Sequence, residues 1–374
     1  MELTELREQI DKIDKALVDL YEERMEVCRN VAQFKISTGK KVLDKERELA
    51  KIEAVKGLAH SDFNKLGVAE LFEQIMSMSR KLQYRLLAEN GKVEAFPFTK
   101  VDNIKTDNVK VVFQGAVGAY SQAAMVEYFG REVDSYNVET FKDAMEELAC
   151  QNADYAVLPI ENSTAGSVSE VTDLLMDYDN CIVGEQVIAI NHCLLGTKDS
   201  TMEDIKRVYS HPQSFMQSAH FLNEMGWEQI TLKNNAFAAK KVSEEQDKTQ
   251  AAIASEYAAE AYGLKVLKKG VNDVSTNATR FLVLSREKIY KKDAGRISIC
   301  VEIEHKSGAL YQALSHFIYN GLNMTRIESR PIENKDWEYR FFIDFEGNLD
   351  SDAVKNALFG LQEEAGKMKI LGNY

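Results

Sequence analysis

The sequence predicts three successive architectures: an all-α first quarter, a central α/β region, and a C-terminal α+β module of ferredoxin-like order. Three observations carry this. The first 96 residues hold no proline and only Gly39, Gly57, Gly67 and Gly91, whereas Pro97, Pro159, Pro212 and Pro331 all follow, so only the first quarter lacks proline punctuation. From Val109, short apolar runs alternate with helical stretches: VKVVF (109–113), YAVLPI (155–160), CIVGEQVIAI (181–190), RVYS (207–210), AAIAS (251–255) and FLVLS (281–285), the pattern of strands and crossover helices. Near 296, RISICVEIE switches to period two; a helix near 308–320, strands near 322–330 and 337–346, a helix near 350–366 and KMKIL follow. That order is βαββαβ. The expected domains are 1–90, 109–285 and 296–374, with 91–108 a linker that has proline, polar residues and no sustained period.

Composition narrows the function classes. At about 150 residues per domain, 374 residues suggest two or three domains. A net charge of −13 argues against nucleic-acid and polybasic membrane partners. The start, MELTELREQIDKIDK, has no apolar signal core, and nothing approaches the roughly 18 apolar residues of a membrane span, so a cytoplasmic location is expected. Cys28, Cys150, Cys181, Cys193 and Cys300 are scattered, without metal-ligand spacing. Free thiols and no metal are expected.

In the first helix, Leu3, Leu6, Ile10, Ile13, Leu17, Leu20, Val27, Val31 and Phe34 follow a 3,4 spacing, broken where the register meets Arg24. A helix to about Ser37 is about 50 Å long, more than a 90-residue domain covers, so a second chain is expected on it. A cation on an apolar seam needs a carboxylate or an anionic ligand. Lys35, 11 residues on, is rotated by only about 20° and shares Arg24's face. Arg7 is 17 residues earlier, roughly 25 Å away, and reaches the same small ligand only from a second protomer. Asp44, Arg47 and Glu48 share a face of the next helix, and Ser79 and Gln83 a face of the third. Taken pair by pair, such charges read as solvated surface pairs.

These residues, in LREQI, EERMEV, FK, LDKERE and MSMSRKLQ, resemble the all-helical chorismate mutases. The resemblance implies that Arg7 (from the partner) and Arg24 bind substrate carboxylates, that Lys35 and Gln83 hydrogen-bond the ether oxygen, and that Glu48 with Asp44 holds the hydroxyl region. Arg47 and Ser79 complete that pocket. Conversion of chorismate to prephenate is pericyclic, so a fixed conformer and charge complementary to the polarised ether suffice.

In the central region, VVFQGAVGAYSQAA sets a glycine loop between strand and helix, and backbone N–H groups near Gly115 to Ser121 are placed to hold an anion. It is neither GxGxxG nor a P-loop, which counts against a fused prephenate dehydrogenase. This segment with YAVLPIENSTAGSV, HCLL (192–195), VYSHPQSFMQ and NATRFLVLS resembles prephenate dehydratase over about 109–285. The resemblance implies two α/β lobes that close like a periplasmic binding protein, Thr279 as the leading catalytic residue, and Glu161, Asn162, Ser210, Gln217, Arg280 and Phe281 as substrate-binding groups. Ala116, Val117 and Ala119 depart from relatives, which often carry Pro, Lys and Ser or Thr there. His211, beside Pro212, is read as a turn residue and left out. Singly, each motif also fits a strand edge, a surface arginine or a turn.

In the last third, Gly308-Ala309-Leu310 and Glu328-Ser329-Arg330-Pro331 resemble the effector motifs of regulatory ACT domains. A bare dimerisation module is the other reading. The whole pattern resembles bifunctional chorismate mutase/prephenate dehydratase, which implies phenylpyruvate formation in phenylalanine biosynthesis, phenylalanine as effector, a homodimer or higher oligomer, and no cofactor. An enzyme with one live activity, or a non-catalytic metabolite sensor, remains the alternative.

Overall fold

The first helix, α1 (Leu3–Thr38), runs through the predicted apolar repeat without interruption. At its start the Glu2 N–H donates to the Glu5 carboxylate at 3.0 Å; it stops at Gly39, whose left-handed φ of +69° lets its N–H reach the Lys35 carbonyl at 2.8 Å. Asp44 accepts the Arg47 N–H at 3.1 Å and caps α2 (Lys45–Leu58), and Ser61 accepts the Asn64 N–H at 3.2 Å and caps α3 (Asp62–Glu89). Ile52, Ala69, Met76 and Phe72 form the small core between them. Leu3, Ile10, Ile13, Leu17, Leu20, Val27 and Phe34 are each more than half exposed on α1. The structure is a computed structural model that describes residues 2–92, 95–332, 335 and 337–374. Met1, Val93 and Glu94 of the expected linker, and Glu333, Asn334 and Asp336 of the C-terminal third lie outside the described residues.

The central region runs β1 (Thr99–Val101), β2 (Lys110–Gln114), α4 (Tyr120–Phe129), β3 (Asp134–Val138), α5 (Phe141–Ala149), β4 (Tyr155–Asn162), β5 (Gly166–Ser167), α6 (Ser169–Asp177), β6 (Cys181–Ala189) and β7 (Cys193–Gly196). It continues through β8 (Arg207–Ser210), α7 (Pro212–Gln217), α8 (Ala219–Met225), β9 (Glu228–Thr231), α9 (Asn235–Glu245), β10 (Gln250–Ala254), α10 (Glu256–Tyr262), β11 (Lys265–Lys269), β12 (Ala278–Ser285) and β13 (Ile289–Lys291). One lobe is built on the strand order β6-β12-β4-β2-β3, the other on β11-β7-β10-β8-β9. The chain leaves the first lobe after β6 and returns as β12, so two crossings join the lobes. Phe113, Val157, Val183, Phe281 and Val283 fill the first lobe; apolar clusters around Leu195 and Val208 cover the two faces of the second sheet. Where the lobes meet, the Ser255 hydroxyl caps α10 and donates to the Gly118 carbonyl at 2.8 Å. Gly118 has φ +85°, and a Cβ there would lie 2.7 Å from the Ala258 Cα, so this approach requires glycine.

The C-terminal elements are β14 (Arg296–Glu302), α11 (Ala309–Tyr319), β15 (Met324–Pro331), β16 (Tyr339–Glu346), α12 (Asp352–Glu364) and β17 (Lys367–Asn373), in the sheet order β15-β16-β14-β17. This is the ferredoxin-like arrangement. The helical quarter and Gly295–Ile370 pack as one unit; Pro97–Ala294 with Leu371–Tyr374 forms a second. Within the first unit, Tyr84 on α3 is fully buried and meets Phe359 of α12 edge to face, ring centres 5.5 Å apart. Gly360 makes room: a Cβ there would lie 2.7 Å from the His316 ring. Lys81 is buried beside them, donating to the hydroxyls of Ser77 (2.9 Å) and Ser315 (2.7 Å). Among the described residues, no helix is long and apolar enough to cross a membrane.

Two predictions concern this packing. Gly360→Ala should destabilise the first unit by about 1–3 kcal/mol through overpacking, and Gly118→Ala the second by more than about 1 kcal/mol through strain and clash; unchanged denaturant midpoints would contradict them. Burial pushes Lys81 down to about 8. An unfolded lysine holds its proton to about pH 10.4. Between these values the unfolded chain binds more protons, so stability rises with pH. Chemical denaturation at about pH 7.5 and about pH 9.5 should show this rise in the native protein and not in Lys81→Met; equal pH dependence in both would contradict it.

Candidate active sites

The first site lies among α1, α2 and α3. Arg24, at the break in the apolar repeat, donates from Nη1 to the Ser79 Oγ at 2.5 Å. Ser79 in turn donates to the Ile75 carbonyl at 2.8 Å. One helical turn on, Gln83 is buried; its Nε2 donates to the Ser79 carbonyl at 3.1 Å, and its Oε1 has no hydrogen-bond partner. That oxygen calls for a donor, and the amide keeps a second N–H of its own to give. Lys35 donates to the Val42 carbonyl at 2.7 Å. Burial pushes its pKa down, and Asp44 pulls it back up. Glu48, half-buried, faces Arg80, whose Nη1 lies 2.5 Å from its Oε2.

Asp44 and Arg47 meet at the α2 cap, where the Arg47 N–H is used and its side chain is exposed. Arg7 is exposed on the same continuous helix as Arg24, about 25 Å away along the axis. One chain therefore brings Arg24, Lys35, Glu48, Ser79 and Gln83 to one region and leaves Arg7 apart. Arg80 was not singled out from the sequence, although it stands between Ser79 and Gln83; a cation in an otherwise packed helix was its only signal.

The second site lies at the ends of β4 and β12, where Thr279 pairs with Asn162 in register. The Asn162 Nδ2 donates to the Thr279 Oγ1 at 2.8 Å. With its oxygen engaged as acceptor, the Thr279 hydroxyl has its own proton available to donate. The Asn162 Oδ1 accepts from the Thr164 N–H (3.0 Å) and hydroxyl (2.8 Å) and from the Ala165 N–H (2.9 Å). From α7 of the other lobe, Gln217 donates to the Thr164 Oγ1 at 2.8 Å, and its Oε1 lies 3.0 Å from the His192 Nε2. Burial pushes His192 below its usual pKa, against the Gln217 hydrogen bond. Burial thus favours the neutral ring; Gln217's oxygen only accepts, so Nε2 carries the proton and Nδ1 is left as an acceptor 3.1 Å from the Tyr120 hydroxyl, which also lies 3.1 Å from the Asn191 carbonyl. Thr164, Gln213, Gln217 and Asn277 line the adjoining cleft. Sequence reasoning missed Tyr120, Thr164, His192 and Asn277; HCLL and GAYSQ were noted without singling out their polar residues.

Four expected substrate contacts lie elsewhere. Successive strand residues face opposite sides of a sheet, so Phe281 points into the first lobe's apolar core and is 2% exposed. Arg280 faces the side opposite to Thr279, 3.1 Å from Glu161 and 3.4 Å from Glu185. Its charge, and Glu161's, are thereby already met. Ser210 is fully buried in the second lobe and donates to the Ile253 carbonyl at 2.7 Å. Nor does the glycine loop offer the expected row of N–H groups: those of Gly115, Gly118 and Ala119 donate to the Val138 carbonyl, the Gln122 Oε1 and the Ala116 carbonyl. His211 caps α7, its Nδ1 accepting the Gln213 N–H at 3.1 Å.

In the C-terminal module, Gly308 (φ +77°) starts α11, and a small cavity beside it is lined by Ala309 with Ile303, Glu304, Lys306, Leu361 and Glu364. Leu310 is partly exposed. β14 and β15 are both antiparallel to β16, so Glu328–Pro331 ends at the same end of the sheet as the Gly308 turn. Glu328 pairs with Arg326, Arg330 lies opposite Arg340, and Ser329 and Pro331 are exposed on the edge strand.

A family profile described as chorismate mutase type II matches residues 6–84, and one described as prephenate dehydratase matches 111–289. The chain is 35% identical to the bifunctional chorismate mutase/prephenate dehydratase of Enterobacter agglomerans, over 100% of this chain and 95% of that protein. Identity to the Escherichia coli K12 enzyme of the same description is 33%, over 100% and 96%. Among solved structures, the prephenate dehydratase of Arthrobacter aurescens in complex with L-Phe superposes with TM-score 0.66 and 28% identity, over 71% of this chain and 89% of that one. GqqA, described as a novel type of quorum quenching acylase, gives TM-score 0.66 and 32% identity over 70% and 96%.

Proposed function

The chain belongs to the bifunctional chorismate mutase/prephenate dehydratases, and from that premise we infer how its residues divide the two reactions and their control. It catalyses both the rearrangement of chorismate to prephenate and the conversion of prephenate to phenylpyruvate in phenylalanine biosynthesis. In our reading residues 1–90 carry the mutase, 109–285 the dehydratase and 296–374 an ACT regulatory domain. The observation that carries the mutase assignment is the pair Arg24 and Lys35 on one face of α1, two cations held by neutral oxygens, with the buried Gln83 amide of α3 joined to Ser79 beside them. A dianionic substrate supplies the missing charge; Lys35 and the second N–H of the Gln83 amide stabilise the ether oxygen as negative charge develops on it, and Glu48 accepts from the substrate hydroxyl. Arg7 comes from a second copy, whose α1 covers the exposed apolar stripe, so the active unit is a homodimer or higher oligomer.

In the dehydratase, the carbon–carboxylate bond breaks, carbon dioxide leaves, and the released electron pair completes the aromatic ring as the hydroxyl departs. Thr279, held by Asn162, donates a hydrogen bond to that hydroxyl. Gln217 and Thr164 join the lobes across the cleft, as closure over a small ligand requires. Phenylalanine, which the Arthrobacter aurescens dehydratase structure holds, is our choice of effector, read at the Gly308 turn and the Glu328–Pro331 strand end. Free thiols at all five cysteines suit the reducing cytoplasm in which we place the enzyme.

The test is incubation of the purified chain with chorismate, with and without phenylalanine, following chorismate, prephenate and phenylpyruvate. Phenylpyruvate that falls with added phenylalanine supports the whole assignment. Accumulated prephenate would leave the mutase alone, and unconsumed chorismate would remove it. Lys35→Ala should lower mutase turnover by at least about 100-fold and spare the dehydratase. Thr279→Ala should do the reverse, and loss of both activities in either folded variant would contradict separate sites.

A further inference from the structure

Glu48 is one end of a bridge. Arg80 is buried, with one edge of its guanidinium on Glu48 (Nη1 to Oε2, 2.5 Å) and the other on Glu364 of α12 (Nε to Oε1, 2.6 Å; Nη2 to Oε2, 3.3 Å). The His316 Nε2 lies 3.3 Å from the same Glu364 carboxylate. Arginine does not shed its charge in proteins, and a buried one left short of counter-charge is strongly unfavourable. A shift of Glu364 therefore pulls Arg80, and through it Glu48. Among the described residues a second ion pair joins these two parts, Lys45 with Glu304 at 2.6 Å; it is about half exposed on both sides and holds little.

We infer that Arg80 is a positioning residue of the mutase: it fixes the Glu48 carboxylate in the chorismate site and ties that position to Glu364 in the C-terminal module. This rests on reading Glu48 as the contact to the substrate hydroxyl. That hydroxyl is a bystander in the pericyclic step, so misplacing Glu48 weakens ground state and transition state alike. The signature is a raised KM with kcat largely kept, unlike the loss of kcat expected at Lys35. Glu364 also lines the cavity beside Ala309, so a molecule seated at the Gly308 turn has a three-side-chain route to the chorismate site, and by linkage chorismate acts back on it.

The experiment is chorismate kinetics on the full chain for the native protein, Arg80→Gln, Arg80→Lys, Glu364→Gln, Glu48→Gln and the Arg80→Gln/Glu48→Gln double variant. Arg80→Gln and Glu364→Gln should raise KM about tenfold with kcat within about threefold, Arg80→Lys should recover part of the loss, and the double variant should be no worse than Glu48→Gln alone. Dehydratase activity on added prephenate should not change. An additive double variant, or a native KM in Glu364→Gln, overturns the inference; if Arg80→Gln does not fold, Glu364→Gln alone decides. Chorismate left unconsumed by the native protein would instead remove the mutase reading beneath it, a failure visible before any variant is compared.

Discussion

A buried cation must be met by something, and what meets it sorts the basic residues of this chain. Arg80 and Arg280 each lie between two carboxylates; their charge is consumed, and they hold elements together. Arg24 and Lys35 rest on a serine hydroxyl and a backbone carbonyl, which orient a cation without neutralising it. The first kind is architecture. The second is standing attraction for an anion, and it occurs where we propose that the dianionic substrate sits. Lys81, held by two hydroxyls, is a third case: burial lowers its proton affinity to the point where the charge itself becomes conditional.

The same distinction explains what could be read from the sequence. Arg24 announced itself as a break in a 3,4 repeat, and Lys35 by falling on the same stripe, because a helix maps sequence spacing onto one face with little freedom. Arg80 stands in the same helix as Ser79 and Gln83 and was passed over: its partners are 32 and 284 residues away, and no local pattern encodes them. Strands were legible where they are apolar. β3, with the sequence DSYNV, lies at the edge of its sheet and is only partly buried, so it lacked the run of apolar residues that marked β2 and β4.

Motif adjacency misled in the dehydratase lobe for a related reason. Thr279, Arg280 and Phe281 are neighbours in sequence, yet a strand sends them to alternate faces, one into a polar network, one into an ion-pair cluster, one into the core. The polar network was assembled instead from Tyr120, Asn162, Thr164, His192 and Gln217, residues spread over about a hundred positions and two lobes. Only the fold brings them together: Asn162 and Gln217 were named from the sequence, whereas Tyr120, Thr164 and His192 were visible beforehand merely as polar letters within motifs.

The first unit is discontinuous: the helices that open the chain pack against α11 and α12 near its end, with the second unit encoded between them. Synthesis at about 5–20 residues per second separates Arg80 from Glu364, 284 residues later, by roughly 15 to 60 seconds. Throughout that interval the face of α3 bearing Arg80, Lys81 and Tyr84 has left the ribosome without the surface that will bury it. The nascent helices must persist half-assembled while the intervening lobes emerge, and the time the ribosome takes over the middle of the message sets how long they wait.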